Sequence, residues 1–124
     1  MKAAILILSD PKNGGDEALG RLFNGLATAY DYKSRGDDVS ILFQGAGTRW
    51  AMEIVKQDHP ANALFLAVQD KVAGASCGCA DVFCSSEEVQ ASGFDLITDN
   101  PVPGTSGLPS LHNLAAEGFT ILTF

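Results

Sequence analysis

The feature that most constrains the fold is the apolar run Ala3-Ala4-Ile5-Leu6-Ile7-Leu8, which has no polar residue in it. A strand with one face in water alternates apolar and polar residues, whereas a strand covered on both faces reads as a continuous apolar stretch. Such strands belong to parallel sheets with helices laid over them. Ser9-Asp10-Pro11 ends the run, and a second of the same kind, Val39-Ser40-Ile41-Leu42-Phe43, ends at Gln44-Gly45-Ala46-Gly47. Between the two strands, Ala18, Leu19, Leu22, Phe23, Leu26, Ala27 and Tyr30 recur at helical spacing, and Gly36 is placed to close the helix. Lys12 to Asp16 forms the loop before it, with Asp16 or Asn13 available as N-cap.

The alternation continues along the chain. Trp50 to Gln57 reads as a short helix, and Pro60 stands at the first position of another that runs from Ala61 to Lys71. Val72-Ala73-Gly74-Ala75-Ser76 is a short strand of small residues. Ser85-Ser86-Glu87-Glu88 is a capping box opening a helix that stops at Gly93. Phe94 to Thr98 is a fourth strand, and Asp99 to Pro109, rich in Pro, Gly, Ser and Asn, is a loop. Ser110 to Glu117 is a last helix closed by Gly118, and Phe119 to Phe124 a fifth strand. The pattern predicts a single α/β domain over residues 1–124. Its architecture is three-layered, Rossmann-like or flavodoxin-like, a mostly parallel five-stranded sheet with helices on both faces. The loops holding Gly14-Gly15, Gly45-Ala46-Gly47, Cys77-Gly78-Cys79 and the Pro/Gly segment all follow strands, so they share one rim.

Composition narrows the function. At 46% hydrophobic residues, the 124-residue chain has material for a core without disulfides or metals. No apolar run nears the roughly 18 residues that span a bilayer, and Met1 to Leu8 reads as a strand, with no cleavage-type site after it. A cytoplasmic protein without membrane attachment is expected. The net charge of −7, with eight scattered Lys and Arg, excludes general binding to nucleic acid or anionic membrane, which needs a basic stripe.

The three cysteines, Cys77, Cys79 and Cys84, fall within eight residues. An odd number cannot form a complete disulfide framework, and in a cytosolic chain such thiols are free, reactive or metal-bound. Cys77 and Cys79 stand at a strand-to-helix junction, where free N–H groups and the helix dipole favour an anion and hence thiolate. Gly78 permits a tight turn and close approach to the backbone. These two form the candidate catalytic pair, while Cys84 reads as packing. Cys77, Cys79 and Cys84 with His59 or His112 would supply four zinc ligands, but there is no second Cys pair and no His-x-His. No metal and no cofactor are expected. A Cys77–Cys79 disulfide is possible only with strain.

Gly14-Gly15 opens a helix after a strand and suits an anion, although it is neither G-x-G-x-x-G nor a Walker loop. Arg49 and Trp50 follow the second strand's glycines. Arg49 binds an anionic ligand or stays solvated; Trp50 walls a pocket or packs in the core. With Gly45, Gly47 and Gly78 they complete the candidate ligand-binding set. His59 reads as a cap before Pro60, and His112 as a surface or partly buried residue of the last helix.

Several segments carry a resemblance across nearly the whole chain. They are Ala3 to Ser9 with Gly15 and its long helix, Phe43-Gln44-Gly45-Ala46-Gly47, Ala73 to Ala80 through the cysteine junction, Gly93-Phe94, and Gly118 to Phe124. In these the sequence resembles the DsrE/DsrF-like family of small sulfur-relay proteins. The resemblance implies a Rossmann-like three-layer fold and homo-oligomers, commonly trimers or hexamers. It also implies a cysteine after the third strand that accepts persulfide sulfur and passes it to a partner protein. Cys77 best matches that position, and Cys79 is next. Where relay members often continue into an Ala-rich Arg-Arg-Gly segment, this chain has Ala80-Asp81-Val82-Phe83-Cys84-Ser85. Two functions follow as expectations: persulfide transfer through a strand-end cysteine with a donor or acceptor protein, or a non-enzymatic module that binds a small ligand or a protein, its cysteines structural.

Overall fold

A computed structural model describes the whole chain, Met1–Phe124. The five strands are β1 (Lys2–Ile7), β2 (Asp38–Phe43), β3 (Val72–Ser76), β4 (Leu96–Ile97) and β5 (Thr120–Thr123). They make one sheet in the order β4-β3-β2-β1-β5, and every neighbouring pair is parallel. The helices are α1 (Gly15–Ser34), α2 (Trp50–Ile54), α3 (Asn62–Val68), α4 (Cys77–Phe83), α5 (Ser86–Ala91) and α6 (Leu111–Ala116). A 3₁₀ turn at Gly45–Arg49 joins β2 to α2, and another at Gln69–Lys71 joins α3 to β3. This is a three-layer, Rossmann-like α/β fold.

Right-handed crossovers explain the layers. From β1 to β4 the chain steps steadily in one direction, so α1 to α5 all fall on one face of the sheet. From β4 it returns across to β5, and α6 lands on the other face. The two cores follow from this. On the first face Ile5, Ile7, Ile41 and Phe43 meet Leu22 and Leu26 of α1, Ile54 of α2 and Val68 of α3. On the second, Ala4, Leu6 and Leu42 are covered by Leu114, Phe119 and Ile121. Residues alternate between these cores from Ala3 to Ile7, and both sets are buried, which is why that stretch shows no polar position.

The β2–β3 ladder is irregular: Ile41 faces Val72, but Leu42 faces Gly74, so Ala73 is left over as a bulge. The 3₁₀ turn after β2 lies directly over the end of β1. A Cβ placed on Gly47 would collide with the carbonyl of Ile7, a main-chain atom that cannot step aside. Gly47→Ala is therefore expected to cost about 1–3 kcal/mol through overpacking. It would read as a lower urea midpoint at unchanged slope.

Some local expectations fail for identifiable reasons. Neither Asp16 nor Asn13 caps α1: its N-cap is Gly14, without a side-chain bond. Asn13 Nδ2 instead donates to Asp10 Oδ2 at 2.9 Å, because Asp10 organises this loop. Pro60 lies in the turn before α3 and not at its first position. The fourth strand has two residues where five were expected, since Phe94 leaves the ladder to pack between Phe43 and Phe65, with centroids at 5.5 and 5.8 Å.

Candidate functional site: two groups of thiols on the strand-end rim

In a parallel sheet the loops that follow the strands collect at one end, and here they divide into two groups. The first surrounds a cleft of about 620 Å³ beyond the ends of β1 and β2. Asp10 holds it together. Its Oδ1 accepts from Lys12 N at 2.9 Å and from Arg49 at 3.0 Å, so the β1–α1 loop is tied to the turn after β2. Partial burial of Asp10 works against its charge, but hydrogen bonds from Asn13, Lys12 and Arg49, with the charge of Arg49, outweigh it. The carboxyl is held below the ordinary aspartate range. Arg49 is not left to solvent. Its Nε donates to Phe83 O at 2.6 Å and its guanidinium lies 5.7 Å from the Phe83 ring, which joins the end of α4 to the same assembly.

Trp50 meets both of its expectations at once. It belongs to the main core and also lines the cleft, and its indole N–H donates to Ser9 O at 2.8 Å. His59 stands edge-on to Trp50 at 5.9 Å, and its Nδ1 accepts from Ala61 N at 3.1 Å. This bond closes the turn before α3, whose N-cap is Ala61 without a side-chain bond, so the expectation that His59 caps the helix is not met. Gly15 lines the cleft, with φ +58. Gly14 packs against Ala18 and the Asp10 carbonyl, Gly45 starts the 3₁₀ turn at φ +57, and Gly47 is pressed on Ile7. Cys84 packs against the main core, as expected, and also lines this cleft, with Sγ 3.4 Å from Thr48 Oγ1.

Asp70 is the other carboxyl that is held low, by a 2.6 Å hydrogen bond from Lys33 and by that residue's charge. Both aspartates ionise more readily folded than unfolded. Their contribution to stability is complete above about pH 4 and disappears as pH falls through their lowered folded values. The thermal midpoint should drop as pH is lowered from about 4 towards 2, and Asp10→Asn should flatten part of that drop.

The second group lies beyond β3. Cys77 and Cys79 occupy the first turn of α4, as expected, and both are partly exposed. Two of that turn's amides are already used, however. Gly78 N donates to Gly107 O at 2.8 Å and Cys79 N to Ser76 Oγ at 3.2 Å. Those two N–H groups, anticipated as free, are spent on the chain itself. Gly78 is closed to a ligand as well: it is buried, and a Cβ on it would stand 2.8 Å from Leu108 Cδ1. The glycine serves close packing of the 99–109 loop. Residues two apart on a helix face different directions, so a Cys77–Cys79 disulfide would require α4 to unwind.

The folded 99–109 loop brings in a residue that the sequence reading missed. Ser106 Oγ lies 3.2 Å from Cys77 Sγ and 2.6 Å from Asp81 Oδ2. A serine hydroxyl has one proton. With that proton given to the Asp81 carboxylate, Oγ accepts from the Cys77 thiol, making a thiol–hydroxyl–carboxylate chain. Asp81 is four residues after Cys77, so α4 puts both on one side. That spacing was a signal present in the sequence; the approach of Ser106 was not. His112, on the surface of α6, contacts only its neighbour Asn113. No group of three or more His, Cys, Asp and Glu side chains is placed to hold a metal ion, and no helix is long and apolar enough to cross a membrane.

Fold and rim together define a class: a Rossmann-like α/β protein whose strand-end loops present free thiols. No protein-family model matches the chain, and no solved structure matches it. Over 91 residues the chain is 31% identical to the uncharacterized protein MJ0733 of Methanocaldococcus jannaschii, and the match covers 73% of each chain. The chain belongs to the family of that archaeal protein.

Proposed function

We propose that this is a sulfur-handling protein of the DsrE/DsrF-like kind, which carries sulfur as a persulfide on Cys77. The observation that carries this reading is the Cys77–Ser106–Asp81 chain, a partly exposed thiol with a route for its proton. Thiolate is the nucleophile in such chemistry. As the Cys77 proton passes to Ser106 Oγ, the Ser106 proton passes to Asp81. The Cys77 sulfur then attacks the outer sulfur of a donor persulfide; the donor's S–S bond breaks as the bond to Cys77 forms. The donor leaves as a thiolate and recovers the proton held on Asp81, so no oxidant or reductant is consumed. Delivery to an acceptor thiol is the same exchange with Cys77 as the sulfur being left. Cys79 is the second thiol of this group and a secondary acceptor. The reading includes a cytosolic location, where thiols stay reduced. It also includes a protein donor or acceptor and assembly into trimers or hexamers, both following from the resemblance noted above.

The test is to offer a small-molecule persulfide, quench with an alkylating agent, and map the adduct by mass. The reading expects one added sulfur atom on Cys77, with less on Cys79. An adduct confined to Cys84, or none, contradicts it.

A further inference from the structure

The cleft beyond β1 and β2 is separate from the Cys77 group and has the properties of a ligand site. Its volume of about 620 Å³ falls within the range of about 300–1,000 Å³ typical of small-molecule sites. Such sites combine apolar walls with a few polar groups, and this one does. Leu19, Trp50, Met52 and Phe83 supply the apolar part. The charges around it do not cancel. Asp10 is matched by Arg49, and Glu53 by Lys56 at 3.1 Å. Lys12 is left, an exposed ammonium group at the cleft with neither an ion pair nor a side-chain hydrogen bond. In a chain of net charge −7, a concavity with a surplus positive charge is a specific arrangement. Asp16, Glu17 and Asp58 are neighbours in sequence but do not line the cleft, and two groups that do line it agree in sign with Lys12. The His59 Nδ1 is occupied as an acceptor, so the neutral ring carries its proton on Nε2, a donor. α1 presents Gly15 without a side-chain cap.

We propose that this cleft binds a small organic anion, its apolar body against Trp50, Leu19 and Phe83 and its anionic head on Lys12. The proposal does not depend on sulfur loading at Cys77. Cys84 marks the site. Its thiol donates to Thr48 Oγ1, whose own proton goes to Gly45 O at 2.8 Å, so a bound ligand screens a thiol that is otherwise reachable from the cleft.

Trp50 is the single tryptophan of the chain, so fluorescence reports on this site alone. Benzoate and phenyl phosphate are the probes, with acetate and benzamide as controls for the apolar body and the charge. Saturable change in Trp50 emission is expected with both probes and not with acetate, and benzamide should bind more weakly. Benzoate should also slow alkylation of Cys84 by iodoacetamide while leaving Cys77 unaffected. Lys12→Gln, an exposed substitution whose folding is checked by circular dichroism, should weaken benzoate binding about three- to fivefold. Absence of saturable binding of both probes overturns the proposal, and so does benzamide binding as tightly as benzoate. Full benzoate affinity in Lys12→Gln overturns the role of Lys12. Protection of Cys77 in place of Cys84 overturns the location.

Discussion

Phe43→Ala should destabilise the protein by about 3–5 kcal/mol, the largest single effect expected in the chain. Phe43 is fully buried on β2, and its ring meets Phe94 edge-on at 5.5 Å; Phe94 in turn stacks on Phe65. Truncation removes the ring's buried area and leaves a cavity between the sheet and α3, where close-packed neighbours relax only in part. It also removes the partner that draws Phe94 out of the fourth strand. Urea unfolding followed by circular dichroism would measure the loss. A cost under about 1 kcal/mol, the scale of a surface substitution, would mean that this aromatic group is not the centre of the main core.

The second large effect concerns chemistry and not stability. Cys77→Ser should eliminate most sulfur loading and leave the fold intact, since the position is partly exposed and serine is nearly isosteric. Ser106→Ala keeps the thiol but breaks the proton route, and loading should slow about tenfold or more. Asp81→Asn should act similarly. The double variant should be scarcely slower than either single one, because the two residues serve one path.

Much of the frame was legible because it depends on short-range patterns. The continuous apolar run before Ser9 encodes burial on both faces, and β3 occupies Val72–Ser76 as expected, ended by the residue that caps α4. The capping bonds Ser85–Glu88 and Ser110–Asn113 are local, and both helices begin where those serines stand. Expectations failed where a distant partner overruled a local preference. Asn13 turns to Asp10 rather than capping α1, and Phe94 leaves the strand for Phe43 and Phe65.

The site was legible as a cluster but not in its division. Cys77 and Cys84 are seven residues apart, yet α4 begins at one and ends before the other. One thiol therefore faces Ser106 and the other Thr48. Arg49 and Trp50 were expected on the same rim and stand there, beside Cys84 and not beside Cys77. Ser106, 29 residues beyond Cys77, is brought close by the folded 99–109 loop. No periodicity in that Pro- and Gly-rich segment encodes where it closes.

The most direct measurement is a single-turnover transfer. The protein is loaded from a persulfide donor, freed of donor by gel filtration, and mixed with a small acceptor thiol while the mass of the Cys77 peptide is followed. The sulfur adduct on Cys77 is expected to disappear at the rate at which acceptor persulfide appears, and Cys77→Ser, carried through the same steps, to deliver none. An adduct that stays on Cys77 in the presence of acceptor, or delivery that continues undiminished from Cys77→Ser, would contradict sulfur transfer through Cys77.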